Sequence, residues 1–210
     1  MKNLLIIGAG KFGREVFTWA QQCIENGEKW KIKGFLHTVE KNSTLKDWTQ
    51  DLIIGDPINY EPTKDDIFLC AIGDPKQKEK YVFEIEKKNG VFTNLIHPTS
   101  CIGDNVRFGN GCIFCPFTQA SCDITLENYV TIGTQTSLGH DVCIGKWSQL
   151  SSHCAINGNV HIGKRVFLGA GCIIVPGKKI EDDCYVGAGS VVINNVKSGD
   201  RLFGNPATTI

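Results

Sequence analysis

An apolar residue recurs at every sixth position of this chain, without interruption, from residue 102 to residue 192. The positions are Ile102, Phe108, Phe114, Ala120, Leu126, Ile132, Leu138, Ile144, Leu150, Ile156, Ile162, Leu168, Ile174, Ile180, Val186 and Val192. A helix repeats its apolar residues every three to four positions and an ordinary strand every two, so neither explains a period of six. The period is typical of hexapeptide repeats, which build a parallel β-helix from one short strand and one turn per unit.

The other positions of the repeat fit the same architecture. Glycine often follows the apolar residue directly, which suits a corner where a side chain would clash. Three units close one triangular coil, so the repeat predicts about five stacked coils with strands about 4.8 Å apart. Cys112, Cys154, Cys172 and Cys184 fall at a small, inward position, where cysteine acts as a compact hydrophobe. A zinc or redox role for Cys112 with Cys115 is therefore disfavoured.

Composition excludes several classes of function. The chain has 210 residues, a formal net charge of zero and no basic run, which disfavours nucleic-acid binding. It has no run of apolar residues long enough to cross a bilayer and no signal-peptide pattern, so we expect neither a membrane span nor export. With ten cysteines and no export signal, the expected location is a reducing cytoplasm.

Residues 1–96 lack the six-residue period and are predicted to form an α/β domain, so we divide the chain into domains 1–96 and 97–210. A predicted strand runs into Gly8, Gly10 and Gly13, spaced as G-x-G-x-x-G, and a predicted helix follows. Strands are expected at 4–7, 32–36, 52–54, 67–72 and 91–95, and a second helix at 75–88. This order is typical of half a Rossmann fold.

The three glycines have two interpretations. They permit tight packing of the strand against the helix, or their backbone N–H groups receive a phosphate or the phosphates of a nucleotide sugar. A dinucleotide site also requires an acidic residue after the second strand, and this chain has His37 there. Hydride transfer with NAD is therefore disfavoured.

The whole arrangement resembles a known family. A small Rossmann-like domain, an Ile-His-Pro segment at 96–98, a hexapeptide prism and a Gly-Asn-Pro-Ala tail at 204–207 resemble the sugar O- and N-acyltransferases of the sialic acid O-acetyltransferase type. These include the acetyltransferases of UDP-linked 4-amino sugars. The resemblance implies a left-handed β-helix, acetyl-CoA as co-substrate, and acetyl transfer to a sugar amine or hydroxyl in surface glycan synthesis.

The resemblance implies that His140 is the general base and that Asp141 orients its imidazole. The chemistry is reasonable in itself, because an acceptor must lose a proton as it attacks a thioester and histidine can take that proton near neutral pH. Gly158 follows His140 by three repeat units, one predicted coil, and its backbone N–H would stabilise an oxyanion there. The competing interpretation of His140 is an ordinary outward corner residue.

The resemblance also implies where the substrates bind. Acetyl-CoA is expected along the prism at Gly158, Ala170 and Ala188, spaced at or near one coil, with Lys164 or Arg165 near its phosphates. The sugar substrate is expected at Gly8, Gly10, Gly13 and His37. Family members commonly have Gly-His-Gly in the glycine turn and an acidic pair after the second strand, whereas this chain has Lys-Phe-Gly and His-Thr. The acceptor is therefore open between UDP sugars, other nucleotide sugars, and free sugars such as sialic acid.

Two further features bear on the site and its assembly. The family often has a second histidine nine residues after the first, where this chain has Gln149, and His153 is a possible substitute. Aromatic residues at outward turn positions, Phe117, Tyr129 and Trp147, suggest a partner surface, and the family implies a homotrimer with the active site between two prisms.

Two rival functions are considered. The first is a non-catalytic binding or scaffold protein, which would have little reason to combine His140, Asp141 and Gly158. The second is a zinc enzyme like the γ-class carbonic anhydrases, which bind the metal through three histidines. The spacing of His140, His153 and His161 matches that pattern poorly, so no metal is expected.

Overall fold

The computed structural model describes residues 1–38, 45 and 47–210 and divides the chain into two compact units, Met1–Pro98 and Thr99–Ile210. The N-terminal unit contains β1 (Lys2–Ile7), α1 (Lys11–Glu25), β2 (Trp30–Leu36), α2 (Asp47–Gln50), β3 (Ile53–Gly55), β4 (Asp66–Cys70), α3 (Pro75–Glu86), β5 (Val91–Phe92) and β6 (Leu95–Ile96). Its parallel sheet has the order β3-β2-β1-β4-β5. No helix in the described part of the chain is long and apolar enough to cross a membrane.

The strand order creates a ligand crevice. From β1 the chain adds β2 and β3 on one side, then crosses to add β4 and β5 on the other, so the order reverses between β1 and β4. In open α/β sheets a crevice forms beyond the carboxyl ends of the strands at such a point. The central strands are apolar runs that are buried along most of their length, as expected for strands covered on both faces. The carboxyl ends of β1 and β4 are therefore where a ligand is expected.

The C-terminal unit is a triangular parallel β-helix. Its strands are β7 (Cys101–Ile102), β8 (Arg107–Phe108), β9 (Ile113–Phe114), β10 (Gln119–Ala120), β11 (Thr125–Leu126), β12 (Thr131–Ile132), β13 (Ser137–Leu138), β14 (Cys143–Ile144), β15 (Gln149–Leu150), β16 (Ala155–Ile156), β17 (His161–Ile162), β18 (Phe167–Leu168), β19 (Ile173–Ile174), β20 (Lys179–Ile180), β21 (Tyr185–Val186) and β22 (Val191–Val192). An antiparallel hairpin, β23 (Arg201–Gly204) with β24 (Ala207–Thr209), follows the coils. The expected fold class, a Rossmann-like domain followed by a β-helix, is confirmed.

Every third strand belongs to the same face of the prism. The first face contains β7, β10, β13, β16, β19 and β22; the second contains β8, β11, β14, β17 and β20; the third contains β9, β12, β15, β18, β21 and β23. We call the edge between the first and second faces the first corner, that between the second and third the second corner, and that between the third and first the third corner. Paired residues on neighbouring strands, such as Ser137 and Ala155, are three repeat units apart, so one coil consists of three units.

The interior of the prism combines apolar packing with hydrogen bonds between coils. The second residue of nearly every strand is buried in one continuous cluster. The small inward residues add hydrogen bonds to a backbone carbonyl of the next coil, as Ser148 Oγ does to Gly163 O (2.8 Å) and Cys154 Sγ to Gly169 O (3.3 Å). All ten cysteines are free thiols. The inward cysteines therefore act as weak donors as well as compact hydrophobes.

The corners follow a second six-residue rule. A residue with positive φ recurs at every sixth position from 105 to 189, and most of these residues are not glycine. Asp and Asn adopt this left-handed conformation more readily than other residues with a side chain. At the first corner the non-glycine positions are Asn105, Asp123, Asp141 and Asn159, with φ of 55°, 57°, 58° and 59°, and Gly177 follows with φ of 71°.

Candidate active site

His140 and Asp141 form a hydrogen-bonded pair at the first corner, in the turn between β13 and β14. His140 Nδ1 and Asp141 Oδ2 are 2.7 Å apart, and both side chains are more than half exposed. An Nδ1–H that donates to the carboxylate leaves the lone pair on Nε2, which is the atom free to accept a proton. The left-handed conformation of Asp141 turns its carboxylate back toward the preceding residue's ring. The pair therefore has the geometry of a base with its orienting acid.

Gly158 lies directly beside the His140 imidazole, one coil further along the prism. A Cβ built on Gly158 would collide with Nε2 of His140 and would lie 2.6 Å from its Cε1. The glycine is buried, and its φ lies outside the left-handed region, so the imidazole alone excludes a side chain. The backbone is tied together here, since Asn159 N donates to His140 O (2.9 Å).

The Gly158 N–H donates no hydrogen bond within the described part of the chain. Equivalent N–H groups at the second corner are occupied by side chains: Lys146 N donates to Glu127 Oε2 (3.1 Å) and Lys164 N to Asp182 Oδ1 (2.8 Å). A buried N–H without an acceptor is unusual in folded proteins. The first corner therefore presents a base atom and an available N–H donor side by side.

Ala170 and Ala188 are not at this corner. Both are exposed, and they lie in the turns that join β18 to β19 and β21 to β22, which form the third corner. Residues 158 and 170 are separated by two repeat units rather than three, so the chain reaches a different edge of the prism. The three residues expected to bind acetyl-CoA thus occupy two corners of one chain.

The other candidate side chains are dispersed. Gln149 is buried on the third face, His153 lies at the third corner, and His161 is exposed on the second face, with Nδ1 3.4 Å from Asn159 O. Neither Gln149 nor His153 shares the corner of His140 in the same chain. The described residues contain no group of three or more His, Cys, Asp or Glu side chains arranged to hold a metal ion.

The basic residues proposed for the CoA phosphates differ from each other. Arg165 is held in a two-point ion pair at the second corner, Nε to Asp183 Oδ1 and Nη2 to Asp183 Oδ2, both 2.8 Å. Lys164 is exposed and lines a groove of about 590 Å³ on the second face, together with His161 and Lys179. Of the two, Lys164 is the side chain that remains available for an anion.

The N-terminal unit contains a cavity of about 360 Å³ at the carboxyl ends of β1 and β4. Gly8, Gly10 and His37 line it, as expected for substrate residues, but Gly13 does not. A Cβ on Gly13 would lie 2.8 Å from the Gly8 carbonyl carbon, so this glycine permits the tight contact between strand and helix. A Cβ on Gly10 would meet nothing within 4 Å. The two interpretations of the glycines thus apply to different glycines.

Polar groups of the cavity point to an anionic, hydrogen-bonding ligand. The cavity borders the N-terminus of α1, whose cap residue Gly10 has no side-chain cap, and Lys11 lines the cavity beside it. His37 Nδ1 accepts a hydrogen bond from Ala9 N (3.3 Å). Thr38 Oγ1 is buried and has no hydrogen-bond partner among the described residues. A helix N-terminus together with a lysine suits a phosphate group.

Sequence analysis noted Lys11 and Thr38 only as departures from the family pattern, and it missed Gln77 and Tyr81, which line the cavity from α3. A lysine inside a glycine turn was a readable signal, since its charge lies where a phosphate would bind. Gln77 and Tyr81 are four positions apart on one helix, and only the packing of α3 shows which face borders the cavity.

The aromatic residues do not form one surface. Tyr129 and Trp147 are one coil apart at the second corner, where Tyr129 is buried and Trp147 is half-buried. Phe117 lies at the third corner and is 61% exposed. The expectation of a shared partner surface is therefore not met, because Phe117 is two units before Tyr129 and so lies at a different corner.

Comparison with known proteins matches both parts of the chain. Residues 3–85 match the family model "PglD N-terminal domain", and residues 159–193 match "Hexapeptide repeat of succinyl-transferase". No curated protein sequence matches the chain at a significant level.

Solved structures match the chain over its full length. The acetyltransferase domain of PglB from Neisseria gonorrhoeae FA1090 is 19% identical with a TM-score of 0.88, and 100% of each chain is covered. PerB from Caulobacter crescentus, in complex with CoA and GDP-perosamine, is 25% identical with a TM-score of 0.85, covering 100% of this chain and 98% of that one. WeeI from Acinetobacter baumannii AYE is 24% identical with a TM-score of 0.86 and full coverage of both chains.

The order of the two domains and the likeness along the entire chain agree with the family that the sequence resembles. The N-terminal domain match, the hexapeptide repeats and these structural likenesses together support a hexapeptide-repeat sugar acetyltransferase.

Proposed function

We propose that this protein transfers the acetyl group of acetyl-CoA to the amine of a nucleotide-linked amino sugar, with His140 as the general base. The observation that carries the proposal is the first corner, where Nε2 of His140 lies against Gly158, whose N–H has no acceptor in the described chain. General acid–base chemistry and oxyanion stabilisation require such a base and such a donor next to each other. Asp141 supplies the acid that orients the base.

The reaction follows from these positions. The acceptor nitrogen attacks the thioester carbonyl carbon and gives up a proton to His140 Nε2. The carbonyl oxygen becomes an oxyanion, which accepts a hydrogen bond from the Gly158 N–H. The intermediate then collapses: the C–S bond breaks, and the thiolate of CoA leaves with the proton from the imidazolium. Asp141 stabilises the imidazolium between these steps.

The acceptor binds in the cavity of the N-terminal unit. The N–H groups at the start of α1 and the Lys11 ammonium bind the diphosphate, with Gly8 and Gly10 allowing its close approach, while His37 and Thr38 contact the nucleoside. PerB is described with GDP-perosamine, and a related N-acyltransferase from Bacillus cereus with dTDP-4-amino-4,6-dideoxyglucose. These complexes support an amine acceptor and leave several nucleotide bases to be tested.

Acetyl-CoA is the co-substrate, as in the PglB complex with acetyl coenzyme A. We place it against Gly158 of one protomer and against Ala170 and Ala188 of its neighbour, because these residues occupy two different corners of one chain. The assembly is then a homotrimer with the active site between prisms. Ten free thiols agree with a cytoplasmic enzyme.

The test is release of CoA thiol from acetyl-CoA with UDP-, dTDP- and GDP-linked amino sugars and with free sialic acid. We expect turnover with at least one nucleotide amino sugar and a loss of about 100-fold or more in kcat for His140→Ala. The matched control is His161→Ala, which removes an exposed histidine from the next coil and should retain activity. Full activity of His140→Ala would contradict the mechanism, and transfer to sialic acid alone would contradict the acceptor.

A further inference from the structure

The left-handed positions of the first corner form a column in which two carboxylates are stacked. Its members with a side chain are, in chain order, Asn105, Asp123, Asp141 and Asn159, each one coil from the next, and Gly177 follows one coil later. The outer members show that a neutral amide fits the same backbone. The two central members are acids: Asp141 belongs to the His140 turn, and Asp123 to the turn one coil before it.

Asp123 is held in place by the coil before it. Asn105 Nδ2 donates to Asp123 Oδ1 (2.7 Å), and Asn105 Oδ1 accepts from Arg107 Nη2 (3.2 Å). The backbone fixes the level as well, because Asp123 N donates to Asp104 O (3.1 Å) and Asp141 N to Cys122 O (3.2 Å). The Asp123 carboxylate is therefore ordered although it is exposed.

Hydrogen bonds from Asn105 and from the Cys122 thiol lower the pKa of Asp123, and the charges of Arg107 and protonated His140 lower it further. Asp123 is thus ionised at neutral pH and interacts with His140 electrostatically. The backbone of its turn is one coil, about 4.8 Å of rise, from the backbone of the Asp141 turn. Like charges at equivalent positions of neighbouring strands destabilise a sheet-like ladder. An amide in the same place would avoid that cost.

The repulsion between the Asp123 and Asp141 carboxylates is offset when a positive charge appears at His140 during the reaction. We infer that Asp123 is a second positioning carboxylate, which acts with Asp141 to stabilise the imidazolium that His140 forms when it accepts the acceptor's proton. The inference rests on the proposed role of His140 as base. Asp141 contacts Nδ1 directly, whereas Asp123 acts through space from the preceding coil.

Several charged or titratable groups lie in the coils around His140. Its own turn contributes Asp141, and the preceding coil contributes Asp123 and the Cys122 thiol, with Arg107 reaching Asp123 through Asn105. The following coil presents the uncharged Gly158 and Asn159, and then His161, whose Nδ1 faces the Asn159 carbonyl. Among these groups, Asp141 and Asp123 are the carboxylates.

The test is Asp123→Asn in the full chain, because Asn105 and Asn159 show that asparagine fits this column. Without the carboxylate the imidazolium formed during transfer loses one stabilising charge, so the plateau of kcat/KM should fall about 3- to 10-fold, the size expected for an exposed charge interaction. The acidic limb of the pH profile should differ from that of the parent, because a negative charge in the coil next to the base has been removed. The melting temperature should stay the same or rise, since a like-charge contact is removed.

The matched control is Asp183→Asn, which changes an acid with the same left-handed backbone (φ 61°) at the second corner. It should lower the melting temperature by breaking the Arg165 ion pair and leave the pH profile in place. A parent-like profile for Asp123→Asn, or a uniform loss with a lower melting temperature, would overturn the inference. If Asp123→Asn gives such a result, His140→Ala shows which proposal has failed. An inactive His140→Ala overturns only the role of Asp123, whereas an active His140→Ala overturns the proposed base as well.

Discussion

At the scale of single residues, the first corner has room for the hydrogen atom of Gly158 but not for a side chain at that position. The three nearest atoms to a Cβ on Gly158 all belong to the His140 ring. Because the backbone of Gly158 is not left-handed, glycine is needed here for space and not for its conformational freedom. The pair is therefore coupled, and the requirement for glycine exists only while the imidazole is present.

We expect Gly158→Ala to push the imidazole away from Asp141 and to lower kcat by about 100-fold, the cost of a small misplacement of a catalytic group. The melting temperature should change little, because the exposed His140 side chain can rotate away. The check is kcat and melting temperature for a double-mutant cycle with His140→Ala. In the His140→Ala background, adding Gly158→Ala should change neither quantity. A near-parent kcat for Gly158→Ala alone would show that the ring and the glycine are not coupled.

At the scale of elements, the sheet of the N-terminal unit is anchored by a buried carboxylate at the start of β4. The Asp66 side chain is fully buried and accepts hydrogen bonds from Thr63 N (2.9 Å), Lys33 Nζ (3.0 Å) and Tyr60 Oη (2.8 Å). Burial alone raises the pKa of Asp66, but the Thr63, Lys33 and Tyr60 hydrogen bonds outweigh it and lower the pKa to about 2. This cluster links β4 with β2 and with the loop before β4.

The direction of the Asp66 pKa shift determines how the stability of the fold depends on pH. Since the folded pKa of Asp66 is below its ordinary value, the carboxylate stabilises the fold above about pH 4, and this contribution is lost as the pH falls toward 2. We expect Asp66→Asn to lower the free energy of unfolding at pH 7 by about 2 kcal/mol. Urea denaturation of the full chain between pH 7 and pH 3 should show the difference from the parent shrinking with acid. Asp65→Asn is the control, because Asp65 is exposed and 4.0 Å from Lys2. A difference that does not vary with pH would rule out ionisation as its cause.

At the scale of the whole molecule, the proposed active site is incomplete in one chain. His140 and Asp141 are more than half exposed, and the alanines proposed for acetyl-CoA lie at another corner. Acyl transfer benefits from a site that excludes water and holds the thioester. A neighbouring prism that brings its third corner to the first corner of another copy would supply both.

Mixed trimers test this arrangement. His140→Ala removes the base, and Ala188→Trp should block acetyl-CoA at the third corner, so each variant alone should be inactive. If the two residues act across an interface, mixing the variants places an intact first corner next to an intact third corner. Co-expression of equal amounts should then restore about one quarter of the parent activity, from random assembly. The measurement is thiol release by the mixture, with light scattering to establish the oligomer. No recovery in a mixed trimer would mean that both residues serve a site within one chain.

Much of the site was predictable because three repeat units make one coil, so the position of a residue in the repeat gives its corner of the prism. Counting three units onward from His140 correctly predicts that Gly158 is its neighbour, as the structure shows them in contact. The same count shows that Ala170, two units after Gly158, lies at another corner. It also separates Phe117 from Tyr129, which are two units apart. In the N-terminal unit the glycine motif predicts the position of the cavity, but the motif does not reveal that Gly13 serves packing while Gly10 borders the ligand space.

The period of the chain determined by itself the prism, the side chains that fill it and the length of one coil, because these depend on local backbone geometry repeated with every unit. Only the tertiary structure decided that the His140 ring occupies the place of a Gly158 side chain, that the Gly158 N–H has no acceptor in the described chain, and that Asp123 lies in one column with Asp141. Those facts depend on how side chains from different coils share space at a corner. Such contacts are set by packing between coils, which the local pattern of residues does not encode.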